Sequence, residues 1–126
     1  LIIGLGIDFT ARDIQQELKE KGLPWEKAKG FDGSAVISRK YLDKKELKLA
    51  DLNFSLKKNR TIVQSGNTKQ MLFKIDQIIA YISQFYTLKI GDLIYTGTPA
   101  GVGQVSPGDI LEGFIEEQKM FEVKAR

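Results

Sequence analysis

The sequence predicts an α+β domain with a strand-rich, mixed and curled sheet and two main helices. Two observations lead to this fold class. Strand patterns outnumber helix patterns, and the order strand, helix, strands, helix, strands is not the regular alternation of a doubly wound sheet. The 126 residues are 42% hydrophobic and 28% charged, which is ordinary for a globular protein and favours a single domain over residues 1–126.

The first predicted element is a buried strand over residues 1–7. This run is apolar, with Gly4 and Gly6 interrupting it, and it is too short to cross a membrane. Asp8 follows at the end of the strand, directly before a helix pattern. Junctions of this kind often carry functional side chains.

A helix is predicted over residues 11–21. Thr10 is a suitable N-cap, Asp13 places a negative charge in the first turn, and Gly22 and Pro24 stand where helices commonly end. Helix capping is therefore the ordinary interpretation of Thr10 and Asp13. The alternative interpretation gives this strand-to-helix junction a catalytic role.

Residues 26–34 are predicted to form a glycine-rich loop that carries Lys27 and Lys29. Backbone amides in such a loop, with a lysine beside them, can bind an anion. The spacing is not that of a Walker motif, and a solvated lysine is the alternative interpretation.

The middle of the chain contains a predicted β-hairpin. Residues 51–56 alternate between apolar and polar side chains, Asn59 suits a tight turn over residues 57–60, and residues 61–65 form the return strand. Around this hairpin we predict a strand at 35–38, an irregular lysine-rich connection at 39–50 and a polar turn at 66–68.

A second helix is predicted over residues 75–86. Apolar side chains recur along one face of it, at Ile75, Ile78, Ile79, Ile82, Phe85 and Tyr86. Such a stripe is interpreted as packing against the core, with no cofactor implied.

The last third is predicted to contain strands on both sides of a tight loop. Residues 91–95 and 108–112 each have the pattern of a turn that enters a strand, and further strands are predicted at 110–116 and 120–124. Residues 96–103 hold three glycines, a proline and two threonines. The backbone of such a loop can approach a ligand closely, although a plain wide turn is the alternative.

Missing residue types narrow the chemistry open to this chain. It has no cysteine and no histidine, which excludes thiolate catalysis, a Ser-His-Asp triad and histidine-ligated zinc within these residues. A metal ion would be bound by oxygen atoms, which favours Mg²⁺, Mn²⁺ or Ca²⁺. The net charge is +3, but the positive side chains are dispersed and no aromatics alternate with them, which argues against nucleic-acid binding.

Four segments form motifs that are specific when they occur together in this order. They are Gly6-Ile7-Asp8-Phe9-Thr10-Ala11-Arg12-Asp13-Ile14-Gln15, the lysine-containing stretch from Lys21 to Asp32, Gln64-x-Gly66-Asn67-Thr68, and the run from Leu93 to Gly103. Together they resemble the fumarylacetoacetate hydrolase family over nearly the whole chain. This resemblance implies a mixed β-roll that is generally a homodimer.

The resemblance also implies an enzyme with Mg²⁺ or Mn²⁺ that acts on a small 2-oxo or β-diketo acid. The reaction would be hydrolysis of a C–C bond, decarboxylation or isomerisation through an enolate. Asp8 is implied as a metal ligand. Arg12 and Gln15 are implied as substrate contacts on one face of a helix, and Thr98 as a contact to substrate carboxylate or oxo groups. Lys29 is implied to lie beside the metal and the reacting oxygens, so that Lys29 and Arg12 are the implied catalytic residues.

One departure from the family pattern leaves two hypotheses. The family supplies two further metal-binding glutamates, spaced Glu-x-Glu, upstream of the Asp8 motif, and this sequence begins after their expected position. The chain is then either the C-terminal portion of a cytoplasmic enzyme, which is our expectation, or a non-catalytic remnant or dimerisation module of the same fold.

Overall fold

The computed structural model describes residues 1–126 and contains eight short strands and three helices. In chain order these are β1 Ile2–Ile3, β2 Gly6–Asp8, α1 Arg12–Glu20, α2 Glu26–Lys29, β3 Ala35–Ile37, β4 Leu42–Asp43, β5 Asn53–Lys58, β6 Thr61–Asn67, α3 Ile75–Ile82, β7 Ile110–Ile115 and β8 Gln118–Lys124. Single 3₁₀ turns lie at Lys44–Glu46 and Thr68–Gln70. The predicted strand-rich α+β class is confirmed.

The largest element is a four-stranded antiparallel sheet in the order β6–β5–β7–β8. Its first hairpin confirms the prediction, because Asn59 and Arg60 join β5 to β6 with φ values of 50° and 71°. Positive φ at both turn residues matches the right-handed twist of the strands. The core lies on one face of this sheet, where Leu52, Ile115, Met120 and Phe121 form a buried cluster.

The N-terminal segments form two separate two-stranded sheets, β1 with β4 and β2 with β3. The single strand predicted over residues 1–7 is therefore divided. Between its two parts the Leu5 amide donates to the Ser38 hydroxyl at 3.1 Å, and the Ser38 amide donates to the Leu5 carbonyl at 2.8 Å. The chain changes partner strand at this point, which ends β1 and begins β2.

The structure corrects two predictions near the helices. Ala11, not Thr10, occupies the N-cap position of α1, and no side chain caps that helix. Thr10 instead accepts a hydrogen bond from Lys29, so its hydroxyl is used in a tertiary contact. The glycine-rich loop predicted at residues 26–34 begins with the helical turn α2. The predicted end of α1 is confirmed, since Gly22 has a φ of +63° and terminates the helix.

The segment from α3 to the last hairpin differs most from the prediction. α3 ends at Ile82, and residues 91–95 form no strand because no other strand pairs with them. The core-packing interpretation of the apolar stripe is wrong within this chain. No residue of α3 is buried, and beyond its end Phe85 and Tyr86 are 66% and 69% exposed.

Exposure is high over the whole chain as well. Its accessible surface is 9633 Å², whereas a folded monomer of 14.2 kDa typically exposes about 6,800 Å². Much apolar surface therefore remains uncovered by the chain itself. No helix has the length and apolar character that crossing a membrane would require.

Candidate functional site

The centre of the candidate site is an ion pair between Asp8 and Lys29. The Lys29 Nζ lies 2.7 Å from Asp8 Oδ2 and 2.7 Å from the Thr10 hydroxyl. The Lys29 and Asp8 side chains are 35% and 49% exposed. An ion pair this exposed contributes little to stability, but both of its charges are accessible to a ligand.

Backbone hydrogen bonds place these two side chains together. Asp8 ends β2, and the next amide, that of Phe9, donates to the Ser34 carbonyl at 2.8 Å. The Ala11 amide donates to the Ala28 carbonyl at 3.0 Å, which fixes α2 against the start of α1. Ala28 is completely buried, which fixes the backbone of α2. The neighbouring Lys29 side chain therefore extends toward Asp8 from a fixed position.

Arg12 and Gln15 lie on the first turns of α1, close in sequence to this ion pair. Arg12 is exposed and Gln15 is half-buried. Neither forms a hydrogen bond or ion pair with Asp8 or Lys29. The structure thus brings Asp8, Thr10 and Lys29 into direct contact, and it leaves Arg12 and Gln15 available on the adjoining helix.

Thr98 lies on the segment of residues 96–103, which we call the glycine loop. Gln64 of β6 anchors this loop, because its Nε2 donates to the Thr98 hydroxyl at 3.1 Å and to the Pro99 carbonyl at 3.0 Å. The approach to β6 is close: a Cβ on Gly66 would lie 2.8 Å from the Pro99 Cβ. Thr98 itself remains exposed, so Gln64 attaches the loop to β6 and leaves the threonine accessible.

Tyr95, the residue directly before the glycine loop, contacts the strand pair that carries Asp8. Its hydroxyl donates to the Val36 carbonyl of β3 at 2.7 Å. Burial, followed by the negative charge of Asp8, raises the pKa of Tyr95 above its usual 10.0. The phenol is therefore protonated at neutral pH and acts as a hydrogen-bond donor.

Sequence reasoning assigned no role to Gln64 or Tyr95. Gln64 belongs to one of the four motifs, so its position in Gln-x-Gly-Asn-Thr was an available signal. Tyr95 belongs to another of the motifs, the run from Leu93 to Gly103, but its partner could not be found from the sequence, because the contact with Val36 joins residues 59 positions apart.

The oxygen atoms of this site fit a hard divalent cation in kind but not in number. Mg²⁺ takes six oxygen ligands, usually one or two carboxylates with water and substrate oxygens. Asp8 supplies one carboxylate, and no group of three acidic side chains in the structure is placed to hold a metal ion. The residues of this chain alone do not complete a metal site.

Comparison with known proteins identifies the family of this chain. Residues 2–123 match the model of the fumarylacetoacetate (FAA) hydrolase C-terminal family. The human mitochondrial oxaloacetate tautomerase FAHD1 is 45% identical over 111 residues, which are 88% of this chain and 50% of that protein. This chain therefore spans about half the length of that curated relative.

Solved structures give the same result for the fold. A fumarylacetoacetate hydrolase family protein from Yersinia pestis superposes with a TM-score of 0.91 at 39% identity, over 98% of this chain and 58% of that one. Fumarylpyruvate hydrolase from Pseudomonas aeruginosa, solved with Mn²⁺ and pyruvate, gives a TM-score of 0.88 at 32% identity, over 97% and 52%. The chain belongs to the fumarylacetoacetate hydrolase family, which is a family of enzymes.

Proposed function

We propose that this protein interconverts the keto and enol forms of a small 2-oxo dicarboxylic acid such as oxaloacetate. The observation that carries the proposal is the accessible Asp8–Lys29 pair, 2.7 Å apart, in a chain 45% identical to a tautomerase named for that substrate. The other residues implied by the resemblance, Arg12, Gln15 and Thr98, lie on segments that are held by backbone or side-chain hydrogen bonds.

The reaction transfers a proton between the carbon beside the carbonyl group and the carbonyl oxygen, through an enolate. The Lys29 ammonium can donate a hydrogen bond to that oxygen and offset its negative charge. Arg12 can bind one substrate carboxylate through two parallel hydrogen bonds. Gln15 and Thr98 are proposed to contact the remaining carboxylate or oxo oxygens, and they fix the orientation of the substrate.

A divalent cation, Mn²⁺ or Mg²⁺, belongs to this proposal, with Asp8 as one of its ligands. It would act as a Lewis acid that stabilises the enolate. The Mn²⁺ in the Pseudomonas structure supports a divalent cation. Its remaining ligands would come from outside the residues described, as the single carboxylate of the site requires.

Hydrolysis of a C–C bond is the second candidate reaction. It is favoured by the likeness to a fumarylpyruvate hydrolase, whose structure was solved with pyruvate. It shares the enolate with the first reaction but consumes water and releases two products. One assay series distinguishes the two, because tautomerisation changes enol absorbance without changing the concentration of total oxaloacetate.

The test uses the protein in its full encoded length, with and without added Mn²⁺. We expect it to accelerate the loss of enol oxaloacetate absorbance above the buffer rate, and to leave acylpyruvates intact. Cleavage of acylpyruvates without tautomerisation would contradict the tautomerase proposal and favour C–C bond hydrolysis. If neither substrate reacts, the non-catalytic alternative is favoured.

A homodimer and a cytoplasmic location complete the proposal. The dimer is supported by the exposed apolar side chains on and after α3, among them Tyr81 at 64% and Phe85 at 66% exposure, which a second copy could cover. Sedimentation velocity tests the dimer. Cell fractionation tests the location. A mitochondrial location is the alternative, because the human relative is named as mitochondrial.

A further inference from the structure

We infer that Tyr95 is a positioning residue that fixes the strand pair carrying Asp8 relative to the glycine loop carrying Thr98. The inference rests on the proposed function, since it concerns the alignment of the two parts of that site. Three contacts carry it.

The first contact is the hydrogen bond from the Tyr95 hydroxyl to the Val36 carbonyl, 2.7 Å long. Val36 lies opposite Ile7, and the two strands β2 and β3 pair through only three residues each. A two-stranded pair of this length is marginal on its own. One added hydrogen bond from outside the pair therefore restrains it appreciably.

The second contact is between the Tyr95 ring and Gly6. A Cβ on Gly6 would lie 2.8 Å from Cε1 of the ring and 3.1 Å from its hydroxyl oxygen. Gly6 and Asp8 are two residues apart on β2, so they face the same side of the strand. The ring thus lies on the side toward which Asp8 projects.

The third contact joins the glycine loop to β6, where Gln64 binds Thr98 and Pro99. Tyr95 precedes this anchored segment by only a few residues. The loop is therefore attached to β6 by Gln64 and to β2–β3 by Tyr95. Removal of either attachment would let Thr98 and the Asp8–Lys29 pair move independently.

The test compares wild type, Tyr95→Phe and Tyr41→Phe, each in the full encoded length. Tyr41→Phe is the matched control, because its ring lies against Gly4 on the same chain segment while its hydroxyl bonds no carbonyl of β3. We expect Tyr95→Phe to speed hydrogen exchange of the β2 and β3 amides by about fivefold, the effect of one lost hydrogen bond. The control should leave exchange unchanged.

The kinetic readout separates positioning from loss of folded protein. Circular dichroism first confirms equal folded fractions. We then expect Tyr95→Phe to lower kcat by about tenfold, since small misplacements of catalytic groups are costly. KM should stay within about twofold, because Arg12, the proposed two-bond carboxylate contact, lies on α1 and not on the glycine loop. Tyr95→Leu, which also removes the ring, should lower kcat further.

The outcomes are distinguishable. Equal exchange rates and equal kcat in Tyr95→Phe and wild type would overturn the inference, as would equal effects in Tyr95→Phe and Tyr41→Phe. If wild type shows no turnover, the proposed function fails. The exchange comparison still decides in that case whether Tyr95 restrains β2 and β3.

Discussion

The four-stranded sheet and the site region, defined as β2, β3, α1, α2 and the glycine loop, are stabilised in different ways. In the sheet, Leu111 and Ile115 are 1% and 2% exposed, and continuous strand pairing joins all four strands. The site region has few buried side chains, and single polar contacts such as Asp8–Lys29 and Tyr95–Val36 connect its segments. Stability and site geometry are therefore carried by different residues.

This difference predicts that substitutions in the two regions have separable effects. Loss of apolar burial in the sheet should lower the free energy of unfolding and leave the activity of the folded molecules unchanged. Loss of a polar contact in the site region should lower activity with little change in stability. The following predictions test that separation, in order of decreasing effect.

Lys29→Ala should cause the largest effect. It removes the only cation in direct contact with Asp8, and loss of one group that stabilises a developing oxyanion typically costs about 10²- to 10³-fold in rate. The measurement is kcat/KM for enol oxaloacetate. Because the ion pair is half exposed, the thermal midpoint should change little.

Lys27→Ala is the matched control for that experiment. Lys27 lies on the same helical turn, α2, and is exposed. It should keep wild-type kcat/KM. Similar losses in the two variants would show that general positive charge, rather than the Asp8–Lys29 geometry, determines the rate.

Leu111→Ala should cause the next largest effect, a decrease in the free energy of unfolding. Leu111 is 1% exposed, and truncation of a buried leucine costs about 3 kcal/mol through lost burial and a residual cavity. Urea unfolding measures this change. Leu93→Ala is the control, since Leu93 is 55% exposed and should change stability by less than about 0.5 kcal/mol. A stable Leu111→Ala variant would contradict the role assigned to the sheet.

Gln64→Ala should cause a smaller effect, on activity. It removes both hydrogen bonds that hold Thr98 and Pro99 on β6. The expected loss is about tenfold in kcat, because the glycine loop no longer has a fixed position. Gln104→Ala removes an exposed glutamine just after the same loop and should leave kcat unchanged. Equal rates in the two variants would exclude Gln64 as an anchor.

The sequence predicted the sheet better than the site region, for a physical reason. Alternating side chains and a turn suited to positive φ at Asn59 are local signals, and they specified the hairpin of β5 and β6 correctly. The Asp8–Lys29 pair joins residues 21 positions apart. No local spacing encodes that contact, so only the resemblance to a family suggested it.

The apolar stripe of α3 shows a second limit. Helical periodicity identifies which side chains share a face, and Ile75, Ile78 and Ile82 do share one. It carries no information on what covers that face. In this chain the isoleucines of that face are only partly covered and no residue of α3 is buried, so the pattern was right and the conclusion about core packing was wrong. The prediction that Thr10 caps α1 was wrong for a similar reason. Its hydroxyl could accept a hydrogen bond from a backbone amide of the helix or from a distant side chain, and in the structure it accepts one from Lys29.

The smallest predicted effect concerns a polar contact within the sheet and its dependence on pH. The Asp109 carboxylate accepts hydrogen bonds from the Ser106 amide at 2.9 Å and from the Asn59 side chain at 2.7 Å. These bonds, the Ser106 amide first, lower the pKa of Asp109 below its usual 3.8. A lowered pKa in the folded state means that the unfolded state binds the proton more readily. The resulting stabilisation is present above pH 3.8 and is lost as the pH falls through the folded-state pKa.

Asp109→Asn should therefore make unfolding less dependent on pH below about 4, and it should leave kcat unchanged at neutral pH. Urea midpoints between pH 3 and pH 7 provide the measurement. Asp32→Asn is the control for the loss of one negative charge, since that exposed carboxylate accepts no hydrogen bond within the structure. A change in kcat for Asp109→Asn would contradict the separation between the two regions, because it would show that a turn of the sheet controls the geometry of the site.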